Sequence, residues 1–437
     1  MRPQAPSRTA AKGSILVAVL WCLALLSVVV VSVLHTARQD LRLARHQGDL
    51  VQARYLAIAG IERAKAALFE DLRQRRRASR PANDALGDSP DIFRDVALGR
   101  GRFSVIQPGS PADATRHGVA DESGRLDINV VQTNELLRLP GMTHDVAIAI
   151  LDWRDPDSVA GPGGAEADYY DSLNPPRLPR NGPFQTLREL MMVRGITRER
   201  MSGMAGQPGW NVLLGLGANS PSLNAAGEAR VDLRTADERS LASVRGFNQD
   251  IARAIVARRG REEFRSLLDL LELTPAPPSG GPGNPGGRSP SPGLPDGFNP
   301  GGGGGGPRLV SQDLLIDVAD LLTTGDNDNA QGRININSAQ AEVLACLDGI
   351  DLTAAQSLVA YRQSVGGFSH PVALLRAPGM TVDRLRPILG RLTADSDTWR
   401  ILAEGTVPDR GTRVRVEEVV RLDLTRCTTL SHREDDL

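Results

Sequence analysis

From Ser14 to Leu34 the chain carries no charged side chain. About 20 residues of helix, rising 1.5 Å each, cross a hydrocarbon core roughly 30 Å thick, so this run dictates a membrane-length helix near the start of the chain. The segment before it is polar and basic, with Arg2, Arg8 and Lys12 and no acid. An uncleaved anchor and a removable secretory signal share these features. The run is longer than the ~7–15 apolar residues of a secretory signal, and no small-residue cleavage site ends it. It passes directly into a second pattern. Between Ala37 and Arg77, Leu41, Leu43, Leu50, Tyr55, Ile58, Ile61, Ala64, Leu68 and Leu72 recur at roughly helical spacing. The expectation is one long helix, apolar in its first half and amphipathic in its second. Leu50, Tyr55, Ile58 and Ile61 are expected to form a stripe left for a partner. Arg38, Arg42 and Arg45 flank the far end of the span, so the positive-inside rule is only weakly obeyed. The cluster Arg73-Gln74-Arg75-Arg76-Arg77 reads as a solvated helix end, with anionic lipid or a partner as the alternative.

A chain of 437 residues is long for one domain, and 41% hydrophobic residues suffice for packed cores. Aromatics are only 4%, so aliphatic side chains must fill them. A net charge of −1 gives no global attraction to polyanions. Cys22, Cys346 and Cys427 have no metal-ligand spacing and form no disulfide framework, although Cys346 and Cys427 could pair in an oxidising compartment. The six histidines are scattered and no nucleophile elbow occurs, so no enzyme is expected. His370, before Pro371, reads as a cap or turn residue.

Three segments look alike. Arg125-Leu126-Asp127-Ile128-Asn129, Arg230-Val231-Asp232-Leu233-Arg234 and Arg333-Ile334-Asn335-Ile336-Asn337 each precede a short helical pattern, a glycine turn and a second helix. The glycines are Gly141, Gly246 and Gly349; the second helices end in Trp153-Arg154, Ala257-Arg258 and Tyr361-Arg362. Each unit continues to a phenylalanine (Phe184, Phe264, Phe368) and a short apolar helix. One such unit cannot bury its apolar face alone, so the units must pack together. Ser338 and Glu342 read as a capping pattern one residue off the strict box. A Pro/Gly/Ser tract, 274–307, cannot form a core. Alternation around Arg102–Ile106, Thr398–Ala403 and Thr412–Arg421 reads as strands on either side of the helical units.

The predicted fold class is therefore α+β, with a long N-terminal transmembrane and amphipathic helix packed on a small antiparallel sheet. A large all-α domain of helix-hairpin-helix-like (SAM-like) units is inserted in it. The expected boundaries are a leader at 1–13, a span at 14–34 and the first part of the α/β domain at 35–124. The helical insertion follows at 125–273, the tract at 274–307, a third repeat and connection at 308–395 and the closing strands at 396–437. Helix-hairpin-helix units commonly hold DNA backbone through a two-glycine amide nest. The second glycine is missing in all three, and Asp351 sits where phosphate would lie in the third. A membrane-anchored DNA receptor for uptake is thus the alternative, and nucleic acid is not an expected partner.

Lys12-Gly13-Ser14 before the apolar run resembles a type IV prepilin-like leader, which implies cleavage by a prepilin peptidase between Gly13 and Ser14 and methylation of the new terminus. Most such subunits carry Glu five residues after the cut; here that position is Ala18, which fits a subunit at a tip. Trp153-Arg154-Asp155-Pro156-Asp157, Gly164-Ala165-Glu166, Asp168-Tyr169-Tyr170, Asn181-Gly182-Pro183-Phe184 and Leu187-Arg188-Glu189-Leu190 closely resemble the general secretion pathway protein K family of type II secretion. The resemblance implies a minor pseudopilin that caps a periplasmic pseudopilus with other minor pseudopilins. It implies a single pass through the bacterial inner membrane, the bulk of the chain in the periplasm, and protein export, with exoprotein contact left open.

Asp152, Asp155, Asp157, Glu166, Asp168 and Asp171 lie in one glycine-interrupted stretch. The residues alone fit a solvated acidic loop or a set of hard oxygen donors for calcium, and the spacing is not that of an EF-hand. The family resemblance implies calcium, with Asp155, Asp157, Glu166 and Asp171 as its expected ligands. Trp153, Tyr169 and Tyr170 are expected to pack the core or the loop.

Overall fold

A computed structural model describes residues 12–107, 115–204, 206–218, 223–275, 308–325, 331–408 and 411–434. The expected leader, up to residue 11, and most of the Pro/Gly/Ser tract lie outside them. Helix α1, Lys12–Ala78, runs 67 residues, about 100 Å at the α-helical rise. Its start is the one span among the described residues long and apolar enough to cross a membrane, with mean hydropathy 2.9 over its most apolar window. Every side chain from Ile15 to Leu34 is exposed.

The second half of α1 lies on a sheet. Ala53, Ala57, Ile61, Ala64 and Leu68 are buried at spacings of three and four, which aligns them in one stripe. The strands are β1 Val96–Leu98, β2 Gly101–Ile106, β3 Ala120–Asp121, β4 Thr398–Val407, β5 Thr412–Leu422 and β6 Cys427–Arg433. They pair antiparallel in the order β1-β2-β4-β5-β6, and β3 continues alongside β4. A Cβ on Gly405 would lie 2.0 Å from the Ala53 carbonyl, so a glycine at this point lets α1 rest directly on β4. Sequence alternation located β2, β4 and β5. It missed β6, whose Thr-Thr-Leu-Ser-His stretch is held by its backbone ladder rather than by an apolar face.

Between β3 and β4 the chain builds three units, each closed by a two-residue parallel pairing. Leu126-Asp127 pairs with Leu214-Gly215, Val231-Asp232 with Leu322-Thr323, and Ile334-Asn335 with Leu392-Thr393. Their long helices are α2 His144–Arg154, α3 Gln249–Arg259 and α4 Leu352–Val365. In each unit an arginine at the end of this helix reaches back to the same backbone. Arg154 bonds the carbonyls of Ile128 and Val131, Arg362 those of Ile336 and Ala339, and Arg259 that of Ala236. A carboxamide then holds the phenylalanine that follows. Asn129 donates to Phe184 O and accepts from Phe184 N (3.0 and 2.7 Å), and Asn337 does the same with Phe368 (2.8 and 2.8 Å). The second unit has Arg234 at that position.

Several expectations are corrected. Residues 308–325, in the connection expected before the third repeat, carry the pairing partner of Val231-Asp232 and so complete the second unit. The tract interrupts one unit; it does not separate two. Ser338 is not a helix cap: its hydroxyl donates to buried Asp121, and Gln340 precedes the helix Ala341–Leu344. The apolar helices after the phenylalanines are 3-10 turns, the last begun by His370, whose Nδ1 accepts from Val372 N as expected of a cap. Cys346 lies in the core of the helical units and Cys427 against that of α1 and the sheet; both are free.

The two domains are bolted together by charge. Glu122 is buried and takes Arg400 through two bonds, 2.6 and 3.2 Å, with Arg125 Nη1 at 3.5 Å. Arg75 and Arg76 both meet Asp395, so two residues of the expected solvated basic end are instead anchors to the third unit. Arg73 and Arg77 remain exposed. The reason is geometric: the helix end is covered by the inserted domain, which its own sequence does not announce.

Candidate metal centre and docking surfaces

The acidic loop springs from the end of α2. Asp152 is buried there, and its carboxylate accepts from the amides of Gly161 and Ala165 (3.2 and 2.8 Å), folding the loop back over the helix. A Cβ on Gly164 would meet Asp152 Oδ2, so a side chain there would push the carboxylate off its two amides. Behind the loop, Trp153 meets Tyr170 edge-on at 5.1 Å and Phe184 at 6.4 Å. Tyr170 is fully buried and its hydroxyl accepts from Arg194 N, while Arg194 donates to Gly164 O at 2.8 Å. These aromatics are therefore packing residues.

This scaffold brings oxygens of Asp155, Asp157 and Glu166 within 4.8 Å of one another. Glu166 is only 4% exposed, yet both its carboxylate oxygens lack a hydrogen-bond partner among the described residues, as does Asp155 Oδ1. Burial, and then the neighbouring Asp157 and Asp152, push the Asp155 carboxyl above its ordinary value. Burial, with Asp152 and Asp155, does the same to Glu166. Buried carboxylates without donors are costly, and mutual repulsion adds to that cost. A hard divalent cation would remove both penalties, so the residues fit calcium. Arg154 is the nearest cation along the chain, but it is turned to backbone carbonyls.

Of the four expected ligands, Asp171 is exposed at the end of the short helix Ala167–Asp171 and is not part of this cluster. Helical spacing carries it away from Glu166. Asn181 was not anticipated. Its amide donates to the Asp157 carbonyl at 2.5 Å, and its Oδ1 is buried without a partner among the described residues. Its positive φ of 46° was the signal that sequence could not supply.

The expected partner stripe on α1 divides. Leu50 and Tyr55 are 38% and 63% exposed, and Val51 joins them at 56%. Ile58 is half-buried against the sheet core. Ile61 is 1% exposed within it, three and four residues from other core positions, so it cannot meet a partner. Gly13 and Ser14 lie in the first turn of α1.

Residues 118–205, the first unit with its acidic loop, match the family model described as type II secretion system (T2SS), protein K. Residues 329–393, the third unit, match the helix-hairpin-helix motif. The chain is 25% identical over 282 residues to the type II secretion system protein K of Pseudomonas aeruginosa, covering 61% of this chain and 77% of that protein. A chain of the crystal structure of the GspK-GspI-GspJ complex from enterotoxigenic Escherichia coli aligns over 90% of this chain and 99% of its own length, at 11% identity and a TM-score of 0.47. The chain is thus similar to type II secretion system protein K: its first unit matches that family's model, and its likeness to the Pseudomonas protein extends over 282 residues.

Proposed function

We propose that this chain is the minor pseudopilin that caps the tip of a type II secretion pseudopilus and supports export across the outer membrane. In this reading α1 is anchored in the bacterial inner membrane, the rest stands in the periplasm, and a prepilin peptidase cuts between Gly13 and Ser14. The observation that carries it is the apolar surface left on α1 beyond the span, Leu41, Leu43, Leu50, Val51 and Tyr55, above which sits a bulky three-unit domain. Such a surface suits side-by-side packing with the helices of other minor pseudopilins, while the bulk overhead suits a cap. Ala18 in place of a glutamate agrees with a subunit that does not dock beneath another. The loop of the first unit holds calcium through Asp155, Asp157 and Glu166, and the role is structural rather than catalytic.

The DNA-binding alternative loses support at the third hairpin. There Asp351 itself occupies the helix start, accepting from Ala354 N at 2.8 Å, and Asp348 flanks Gly349. A phosphate would face carboxylates instead of free amides.

The test is Tyr55→Asp in the full-length chain, co-expressed with the other minor pseudopilins. Because Tyr55 is exposed, melting of the periplasmic fold stays unchanged, while co-purification and secretion are lost. Wild-type levels of both would overturn the docking surface. Filaments formed by this chain alone would overturn the cap.

A further inference from the structure

We propose that the end of β6 is a pH-dependent clasp, in which the imidazolium of His432 bridges Glu418 and Glu434 and so fastens the last strand to α1. The geometry is specific. His432 Nδ1 lies 2.8 Å from Glu418 Oε1, and Nε2 lies 2.8 Å from Glu434 Oε1. Carboxylates only accept, and a neutral imidazole has a single N–H, so only the doubly protonated ring donates to both. Each carboxylate is in turn held by α1. Arg54 grips Glu434 through two nitrogens, at 2.5 and 2.8 Å. Lys65 reaches Glu418 at 2.8 Å and Glu62 at 2.7 Å. Thr429 also donates to Glu418, at 3.4 Å. The neighbouring Arg433 serves the opposite face, pairing with Glu417 at 3.5 Å.

Little else secures this strand beyond its ladder to β5. Thr428 to His432 are all exposed, β6 pairs only with β5 among the described residues, and the ladder is irregular between Val419 and Val420. The charged groups facing the ring are therefore Glu418 from β5, Glu434 beyond β6, and Arg54, Glu62 and Lys65 from α1. Hydrogen bonds to Glu434 and then Glu418 hold His432 above its ordinary value. Arg54 and then His432 hold Glu434 below its own. The signs follow from linkage. The histidine contribution is fully present below the ordinary imidazole range and is lost as pH rises through the raised value. The Glu434 contribution fails only in acid, below the ordinary carboxylate range. The clasp is tightest in weakly acidic medium and loosens as pH rises through the raised imidazole value.

The test uses the full-length protein in detergent and reads backbone amide exchange of Thr429 to Arg433 at pH 6.5 and 8.5. Rates are taken relative to His432→Gln, which keeps one donor and one acceptor but cannot change charge, so the intrinsic pH dependence of exchange cancels. The wild-type strand should exchange at least several-fold more slowly than the variant at pH 6.5 and about equally at pH 8.5. In parallel, NMR titration of His432 should give a value above the ordinary ~6.5 that falls in Glu434→Gln. A wild-type to variant ratio that is the same at both pH values, or a His432 value at or below ~6.5, overturns the clasp.

Discussion

The first and third helical units share one frame and differ in one loop. Arg154 and Arg362 bond equivalent carbonyls, and Asn129 and Asn337 hold equivalent phenylalanines in the same two-way fashion. Yet Arg154 and Phe184 are 30 positions apart, while Arg362 and Phe368 are six. The third unit closes with Gly366 and Gly367 at positive φ and no acidic residues in the gap. The first unit spends the extra length on a loop in which both oxygens of buried Glu166, and one of Asp155, have no hydrogen-bond partner among the described residues. Since the frame closes without such a loop, the three converging acids, Asp155, Asp157 and Glu166, are not there to complete the frame. They point to a ligand.

The largest expected effect tests the shared frame. Asn337 is buried and makes three backbone bonds, to Phe368 twice and to Ala394 O at 2.8 Å. Asn337→Ala leaves those groups unpaired and should cost about 3–5 kcal/mol in denaturant unfolding. Asn129→Ala, half-buried and with two bonds, should cost about 2 kcal/mol. A neutral result at either would show that the units do not share a closing device.

Next comes the loop. Calcium at 100 times its dissociation constant should stabilise the protein by about 2.7 kcal/mol, read as a rise in Tm that a chelator reverses. The shift should survive Asn337→Ala and vanish in Glu166→Gln, which separates loop from frame. Smaller is the pH response of the metal-free protein. Asp155 and Glu166 have raised folded values, so the folded state binds more protons than the unfolded one. The contribution of these two groups should then fall as pH rises from the ordinary carboxylate range, read as the difference in slope between the wild type and Asp155→Asn with Glu166→Gln, and calcium should flatten it. A difference of the opposite sign would contradict the crowding of carboxylates. Smallest of all is Asp171→Ala, expected to change stability by less than about 0.5 kcal/mol and to leave the calcium shift intact.

Much of this organisation is legible in sequence, because period and repetition are local signals. The apolar run, the three Asp/Asn-x-Asn/Arg segments and the strands around Phe103 and Trp399 are visible that way. What is hidden depends on distant partners. Arg75 and Arg76 look like a solvated end until Asp395, some 320 positions on, is placed against them. Ile61 and Tyr55 look alike in a helical pattern, and only the sheet decides that one is core and the other surface. Within the loop, composition indicated acids suited to calcium but not which converge. Asp171 leaves with its helix turn, and Asn181 enters through a backbone conformation.

The most direct test of the loop's role is isothermal titration of calcium into the metal-free, full-length protein in detergent, with Glu166→Gln and Asp171→Ala alongside. One ion per chain should bind to the wild type and to Asp171→Ala, and none to Glu166→Gln. Absence of binding to the wild type, or undiminished binding to Glu166→Gln, would contradict the assignment of Asp155, Asp157 and Glu166 as a calcium site.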